Sequence, residues 1–253
     1  MSDHLSPVLR ALDARRQPLV FFVRDDDAGW EDDALWALLD CMADSGVPID
    51  LAVIPQATGA RLADTLCARI DAAEGRLGVH QHGLAHTNHE VVGRRCEFGP
   101  ARSAMAQRND LRQGRARLQT LFGHRLDDIF TPPWNRCASY TPALLAEVGL
   151  KALSRDRTAP AQHDLPELRV DVDWCKHRRP DDDSGAALAR ALLQAVQDHT
   201  GDAAPLGLML HHAQMGAVDL RLLRTWLGAL RQHPQLRCQP MRQALACSPV
   251  ELH

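Results

Sequence analysis

The stretch Leu19-Val20-Phe21-Phe22-Val23-Arg24-Asp25-Asp26-Asp27-Ala28-Gly29 begins as an apolar run and ends in three consecutive carboxylates. Leu19–Arg24 is short, apolar and rich in Val and Phe, which reads as a buried strand. The same grammar then repeats along the chain. Glu31–Ser45 has helical period and ends at Gly46 and Pro48, strand Ile49–Ile54 is closed by Pro55, and helical Leu62–Ala73 stops at Gly75. Leu77–His80 is a short strand, followed by a loop to Pro100 and a long helix, Ala101–Phe122. Asp128–Thr131 is a strand stopped by Pro132-Pro133, and Thr141–Val148 a helix whose Gly149 suits a C-cap. Strands Leu150–Ser154 and Leu168–Val172, helix Ser184–Asp198, strand Leu206–His211, helix Leu220–Arg231 and strand Leu236–Gln239 complete the series. About seven or eight strand–helix units imply an α/β fold with a mostly parallel sheet, as a barrel first and a doubly wound open sheet second. No Ser/Gly-rich linker, repeat or low-complexity tract divides the chain, so residues 1–253 read as one domain with its motif-bearing core at about 19–212.

Composition narrows the function classes. With 45% hydrophobic and 24% charged residues in 253, the chain has the balance of a globular protein with a full core. Its formal net charge of −3 supplies no bulk field for nucleic acid, and no nucleic-acid partner is expected. No apolar run approaches the roughly 18 residues of a membrane span, so no membrane partner is expected either. Met1–Arg16 carries charges throughout and no apolar core of a secretory signal, and the seven scattered cysteines form no CxxC. Reduced thiols in a cytoplasmic protein are the expectation. The unusual entry is histidine: 13 in all, four of them between His80 and His89.

The polar motifs fall directly after strands. Asp25–Asp27 follow the first, His80, His82, His86 and His89 follow Leu77–Val79, Pro132-Pro133-Trp134-Asn135 follow Asp128–Phe130, and His211-His212 close Leu206–Leu210. In parallel α/β folds the C-terminal strand ends converge on one face, which makes distant motifs neighbours. His82 and His86, four apart on a helical turn or tight loop, can face one metal, or be a chance pair. Three carboxylates ending an apolar strand repel one another unless a cation or an arginine compensates, and Asp with two His makes a three-ligand open metal site. Asp181-Asp182-Asp183, by contrast, reads as a solvated turn before a helix. His211 is either a functional group or a satisfied core histidine with His212 facing the other way.

Asp26-Asp27-Ala28-Gly29, His82-x-x-x-His86, Pro132-Pro133-Trp134, Asp173-Trp174 and Leu208-Met209-Leu210-His211 occur in that order. This series resembles the polysaccharide deacetylase (NodB-homology, carbohydrate esterase family 4) superfamily, over about Phe21 to His212, as a divergent member. The resemblance implies a distorted (β/α)7 barrel. It implies one divalent metal, usually zinc, on Asp27, His82 and His86, with Asp26 as general base, His211 as general acid and the Trp134 backbone N–H as oxyanion donor. The implied reaction removes an acetyl group from an N-acetylated sugar or related small molecule. Trp174 is similar to the tryptophan that packs beside the acid histidine.

The sequence also departs from the family. Three aspartates in a row leave the register open by one, so that Asp25 and Asp26 are the alternative base and ligand. Thr131 stands where the third motif usually has an arginine that orients the base, with Arg24, Arg136 or neither as its replacement. His80, His89, Pro133, Asn135, Asp173 and His212 are expected around the site. Trp30, Trp134 and Trp174 near the rim are either sugar-stacking faces or core, and Trp36 and Trp226 are expected in the core. Arg102, Arg108, Arg112, Arg115 and Arg117 make one helix basic, as a solvated face or as a contact for an anionic substrate. The competing functions are a same-fold metallohydrolase acting on a non-sugar C–N bond or phosphoester, and a catalytically degenerate carbohydrate- or partner-binding protein.

Overall fold

A computed structural model describes residues 3–160, 164–178, 185–199 and 204–247. The elements in order are α1 (Ser6–Asp13), β1 (Leu19–Ala28), α2 (Asp32–Ser45), β2 (Ile49–Val53), α3 (Ala60–Ala72), β3 (Leu77–His82), α4 (Ala104–Phe122), β4 (Leu126–Thr131) and α5 (Thr141–Glu147). They continue with β5 (Ala152–Asp156), β6 (Glu167–Asp173), α6 (Trp174–His177), α7 (Ala186–Asp198), β7 (Leu206–Leu210), α8 (Ala217–Arg231), β8 (Leu236–Cys238) and α9 (Met241–Cys247). The strands form one sheet in the order β2-β3-β4-β5-β6-β7-β1-β8, and an additional β1–β2 pairing closes it. Every pairing is parallel, so the closed structure is a (β/α)7 barrel and not an open doubly wound sheet.

The distortion lies in β1. One of its edges pairs with β7 over Phe21–Asp25. The other edge is shared: Leu19–Phe21 take β8, and Arg24, Asp25 and Ala28 take β2. A ten-residue strand is long enough to serve two neighbours on one side.

Side-chain alternation sorts each strand into two cores. Phe22, Ile129, Ala152, Leu168, Val170 and Met209 point inward and meet Met241 and Ala244 of α9, which plugs the barrel base. The outward set, including Phe21, Val23, Leu51, Val53, Leu208 and Leu210, packs under the helices. Those helices are amphipathic: α2 buries Leu35, Leu38, Leu39 and Met42, and α8 buries Leu223, Trp226, Leu227 and Leu230. Trp36 is only partly buried against this core, whereas Trp226 is fully within it.

Several boundaries differ from those read in the sequence. β1 runs on to Ala28, placing the three aspartates inside the strand, because Asp25 pairs with both Leu51 and Leu210. β5 begins at Ala152 instead of Leu150, since the Leu150 N–H is used to close α5 on Leu145 O (2.9 Å). α1, α6 and α9 are additional helices, short enough that their periodicity carries little signal. Ser184 and the Asp181–Asp183 turn lie outside the described residues. Of the five arginines read as one basic helix, Arg102 precedes α4 and Arg112 is exposed. Arg102 pairs with Asp110, Arg108 with Glu147 (2.7 Å) and Arg115 with Asp128 (2.6 Å), and Arg117 donates to Pro55 O and Thr58 O. Among the described residues, no helix is long and apolar enough to cross a membrane.

Candidate active site

Interior positions of β1 climb from Phe22 through Arg24 to Asp26, so the strand carries its charges upward inside the barrel. Arg24 and Asp26 are both buried and meet in a two-pronged pair, Nε to Oδ1 at 2.7 Å and an Nη2 to Oδ2 contact of 3.0 Å. The same guanidinium donates to Ser154 Oγ (2.7 Å) and Asn135 Oδ1 (2.7 Å). Burial pushes the Asp26 carboxyl up, but the Arg24 charge, helped by His82 and His211, outweighs it, and Asp26 is held below the usual carboxylate range.

Asp27 follows with a positive φ of 72°. The ladder shifts register between Asp25 and Ala28. This break in alternation brings Asp27 towards two imidazoles instead of turning it outward. Asp27 Oδ1 lies 3.2 Å from His82 Nε2 and 3.1 Å from His86 Nε2. His82 ends β3, and its Nδ1 lies 3.0 Å from the Thr131 carbonyl. A carbonyl only accepts, so Nδ1 carries the proton, and Nε2 of the neutral ring turns its lone pair on the Asp27 carboxylate. Two acceptors face each other there unless a proton or a metal cation lies between them. The three donor atoms lie within 4.8 Å of one another. An O,N,N set of this kind fits a divalent cation with one position left open.

His86 reaches the cluster through a loop, not a helical turn. Gly83 and His86 both have positive φ, and Glu97, a buried carboxylate, accepts from the N–H groups of Leu84 (3.3 Å) and Ala85 (2.8 Å). A Cβ at Gly83 would stand 2.0 Å from Glu97 Oε2 and 2.6 Å from Pro133, so only glycine fits between them. The His86 ring lies between Trp30 (centroids 4.9 Å apart) and Trp134 (4.4 Å).

The remaining residues divide. Asp25 faces the opposite side of β1 from Asp26 and takes two hydrogen bonds from His212, from its N–H (2.9 Å) and its Nδ1 (2.6 Å). His212 Nε2 donates to Trp30 O (2.8 Å). Both ring nitrogens thus face acceptors, and the ring is an imidazolium. Burial alone would lower its pKa, but the Asp25 charge pushes it up to about 9. Burial pushes the Asp25 carboxyl up while His212 pulls against it. Asp25 is therefore committed away from the imidazole cluster, and Asp26 and Asp27 are the pair at the mouth. His80 sits below His82, donates to or accepts from Thr131 Oγ1 (2.8 Å), and is pushed down to about 3 by burial and by Arg24. Thr131, at the position expected to hold an arginine, thus binds two histidines, and the arginine that meets Asp26 comes from β1. Arg136 instead donates to Arg95 O (2.9 Å).

His211 lies with its Nδ1 3.9 Å from Asp173 Oδ1, and Asp173 also caps α6 at the Lys176 N–H. Cys175 is close enough to complete a second donor group with these two. Burial pushes its thiol up to about 12. His89 is exposed on the loop, and its backbone N–H, not its ring, is used, on Cys96 O (3.0 Å). Trp174 is 1% exposed, packs edge-on against Trp226 and donates to Asp219 (3.3 Å), so it presents no face to a sugar. Trp30 is 41% exposed. The sequence reading gave no role to Glu97, Ser154 or Met209, because single residues that satisfy others leave no pattern.

A closed parallel barrel with this cluster at its C-terminal mouth defines the class. Solved structures share that fold. A Mycobacterium smegmatis protein assigned as a polysaccharide deacetylase matches at a TM-score of 0.67 and 19% identity, covering 92% of this chain and 91% of that one. A family 4 carbohydrate esterase from Streptomyces lividans, in complex with acetate, matches at 0.54 and 17%, covering 88% and 91%. A family 4 acetyl xylan esterase from Clostridium thermocellum, in complex with cobalt, matches at 0.57 and 13%, covering 92% and 93%. No protein-family model and no curated protein matches the chain. The fold is that of the polysaccharide deacetylases and family 4 carbohydrate esterases, and the structural likeness extends over about nine-tenths of the chain.

Proposed function

We propose that this protein is a metal-dependent deacetylase that hydrolyses an N-acetyl group on a sugar or a related amide, working as one domain over residues 1–253. The observation that carries the reading is the Asp27–His82–His86 donor set beside a carboxylate kept ionised by Arg24. Asp27, His82 and His86 would hold the cation; the family resemblance points to zinc, and an O,N,N donor set also suits iron, cobalt or nickel. Once bound, such a cation supplies Lewis acidity and makes hydroxide available near neutral pH.

The chain's own groups do the rest. Asp26, ionised by Arg24, takes a proton from the attacking water. His211, whose Nδ1 lies 3.9 Å from Asp173 Oδ1, returns a proton to the leaving nitrogen. The turn hydrogen bonds at Pro132 O and Pro133 O use the N–H groups of Asn135 and Arg136, so neither occupies that of Trp134. That N–H donates to the developing oxyanion. The exposed Trp30 ring is the sugar-stacking face.

The test is elemental analysis of purified protein together with acetate, ammonia and phosphate release across a substrate panel. One divalent cation per chain, lost in Asp27→Ala, with acetate released from an N-acetylated saccharide, is the expected result. Metal-free protein whose Asp27→Ala variant stays active would refute the reading. Ammonia or phosphate release would redirect it to another bond, and tight saccharide binding without turnover in zinc would mark a degenerate binding protein.

A further inference from the structure

Beyond the imidazole cluster, the mouth of the barrel holds a second cavity, of about 410 Å3. That lies within the range of about 300–1,000 Å3 usual for small-molecule sites. It opens over the ends of β4 and β5, and its inner wall is Asn135. Asn135 is also the residue that holds Arg24, and its neighbour Trp134 packs on His86. The cavity therefore adjoins the proposed site through a single turn of chain.

Its charges are unevenly spent. Arg155 is fully engaged: Nε pairs with Glu167 (2.8 Å) and an Nη donates to Pro160 O (2.9 Å). Asp156 accepts from the N–H (2.9 Å) and hydroxyl (2.6 Å) of Thr158, and Glu90 accepts from the Ala101 N–H (3.1 Å). Arg136 donates to a backbone carbonyl, and neither it nor Arg94 forms an ion pair among the described residues. These two guanidiniums share the cavity wall, and burial first, then the Arg94 charge, lowers the pKa of Arg136 against the pull of Cys96 and Asp156. Asp156 and Glu90 keep their charge, but their oxygens are held by neighbouring N–H and hydroxyl groups, whereas the Arg94 and Arg136 guanidiniums keep donors that suit carboxylate or phosphate oxygens. Val92, 87% exposed on the same wall, adds apolar surface that a ligand would cover.

We propose that this cavity is an anion subsite, through which the protein takes an acetylated saccharide that carries a carboxylate or phosphate group, gripped by Arg94 and Arg136. The proposal rests on the deacetylase reading for the word acetylated, but not for the anion.

The experiment is calorimetric titration of zinc-loaded protein with three probes. They are neutral chitotetraose, a hyaluronan tetrasaccharide that carries glucuronate carboxylates, and N-acetylglucosamine 1-phosphate. At least one anionic probe should bind about 10-fold tighter than chitotetraose, more weakly as salt is raised. Arg94→Gln should remove most of that advantage and leave chitotetraose binding unchanged. Arg94 is exposed and holds no other element, so this variant keeps the fold, and Arg136→Gln is the second arm. Whichever anionic probe shows the Arg94-dependent advantage identifies the source of the charge. Equal affinity for all three probes, or an Arg94→Gln effect shared by the neutral one, overturns the subsite. Arg94-dependent anion binding without acetate release from any probe would overturn the deacetylase reading and leave the subsite standing. Acetate release indifferent to charge and to Arg94 would do the reverse.

Discussion

The two ends of the barrel each bury a carboxylate, and they treat it in opposite ways. At the mouth Asp26 lies in a two-pronged pair with Arg24 of its own strand and is held below the usual carboxylate range. At the base Asp50 of β2 is 0% exposed, accepts from the Met241 N–H (2.8 Å) through Oδ2, and has no partner for Oδ1. Burial, with the Asp127 charge adding to it, pushes Asp50 up to about 7. Its Oδ1 and Asp127 Oδ2 converge over Gly78, where a Cβ would stand 2.0 and 3.0 Å from them. Burial is complete in both places, so burial does not decide the charge; a cation bonded directly to the carboxylate does, as Arg24 is to Asp26, whereas Arg242 at the base reaches Asp127 and not Asp50. The mouth is built to keep a negative charge ready at neutral pH, and the base to keep a carboxyl that can be neutral.

Breaking the mouth should have the largest effect. Asp27→Ala should abolish cation retention and lower acetate release by about 10^3-fold or more, checked by elemental analysis and steady-state rates. Arg24→Met strands Asp26 without its partner and should cost about 3–5 kcal/mol of stability in denaturant titration. It should also move the acidic limb of the pH–rate profile upward, with Arg24→Lys intermediate; an unmoved limb would show that Arg24 does not set the ionisation of Asp26. At the base, Gly78→Ala forces a methyl onto Asp50 Oδ1 and should cost about 2–3 kcal/mol with activity per folded molecule unchanged.

The smallest effect sharpens the contrast most. The folded-state pKa of Asp50 is raised, so the folded protein binds a proton that the unfolded chain releases. Asp50 therefore lowers stability as pH rises through about 7, and relieves that loss as pH falls from 7 towards the unfolded value. Asp50→Asn keeps the shape and removes the charge. Thermal unfolding should show its advantage over the parent growing by roughly 2–3 kcal/mol between pH 5 and pH 8, and levelling off above the folded value. A parent curve as flat as the variant's across that window would mean that Asp50 does not titrate there.

Much of this was legible in the residues, for reasons that differ by region. The parallel barrel followed from apolar runs alternating with helical periods, a signal spread over many residues and hard to lose. The meeting of Asp26, Asp27, His82 and His86 followed from their placement after strands. What escaped depended on single side chains meeting across long sequence distances. Three aspartates in a row look alike until His212, 187 residues away, claims Asp25. The register between Asp25 and Ala28 shifts at a positive φ that no composition announces. Trp174 and Trp30 read alike as aromatics near a rim, yet one is core and the other exposed, because one is caught by Trp226 and Asp219.

The plug at the barrel base has a consequence for how the chain folds. Met241 meets Asp50 across 191 residues of sequence, and β8 joins the first strand from the far end of the described chain. Until those segments arrive, the inward row of Phe22, Ile129 and Met209 has no floor, and water reaches it from below. Long-range closures of this kind form late and slowly, and leave sticky intermediates exposed while they wait. A nascent or truncated chain that stops before β8 should therefore persist as a barrel without its plug, prone to self-association until its own tail seats.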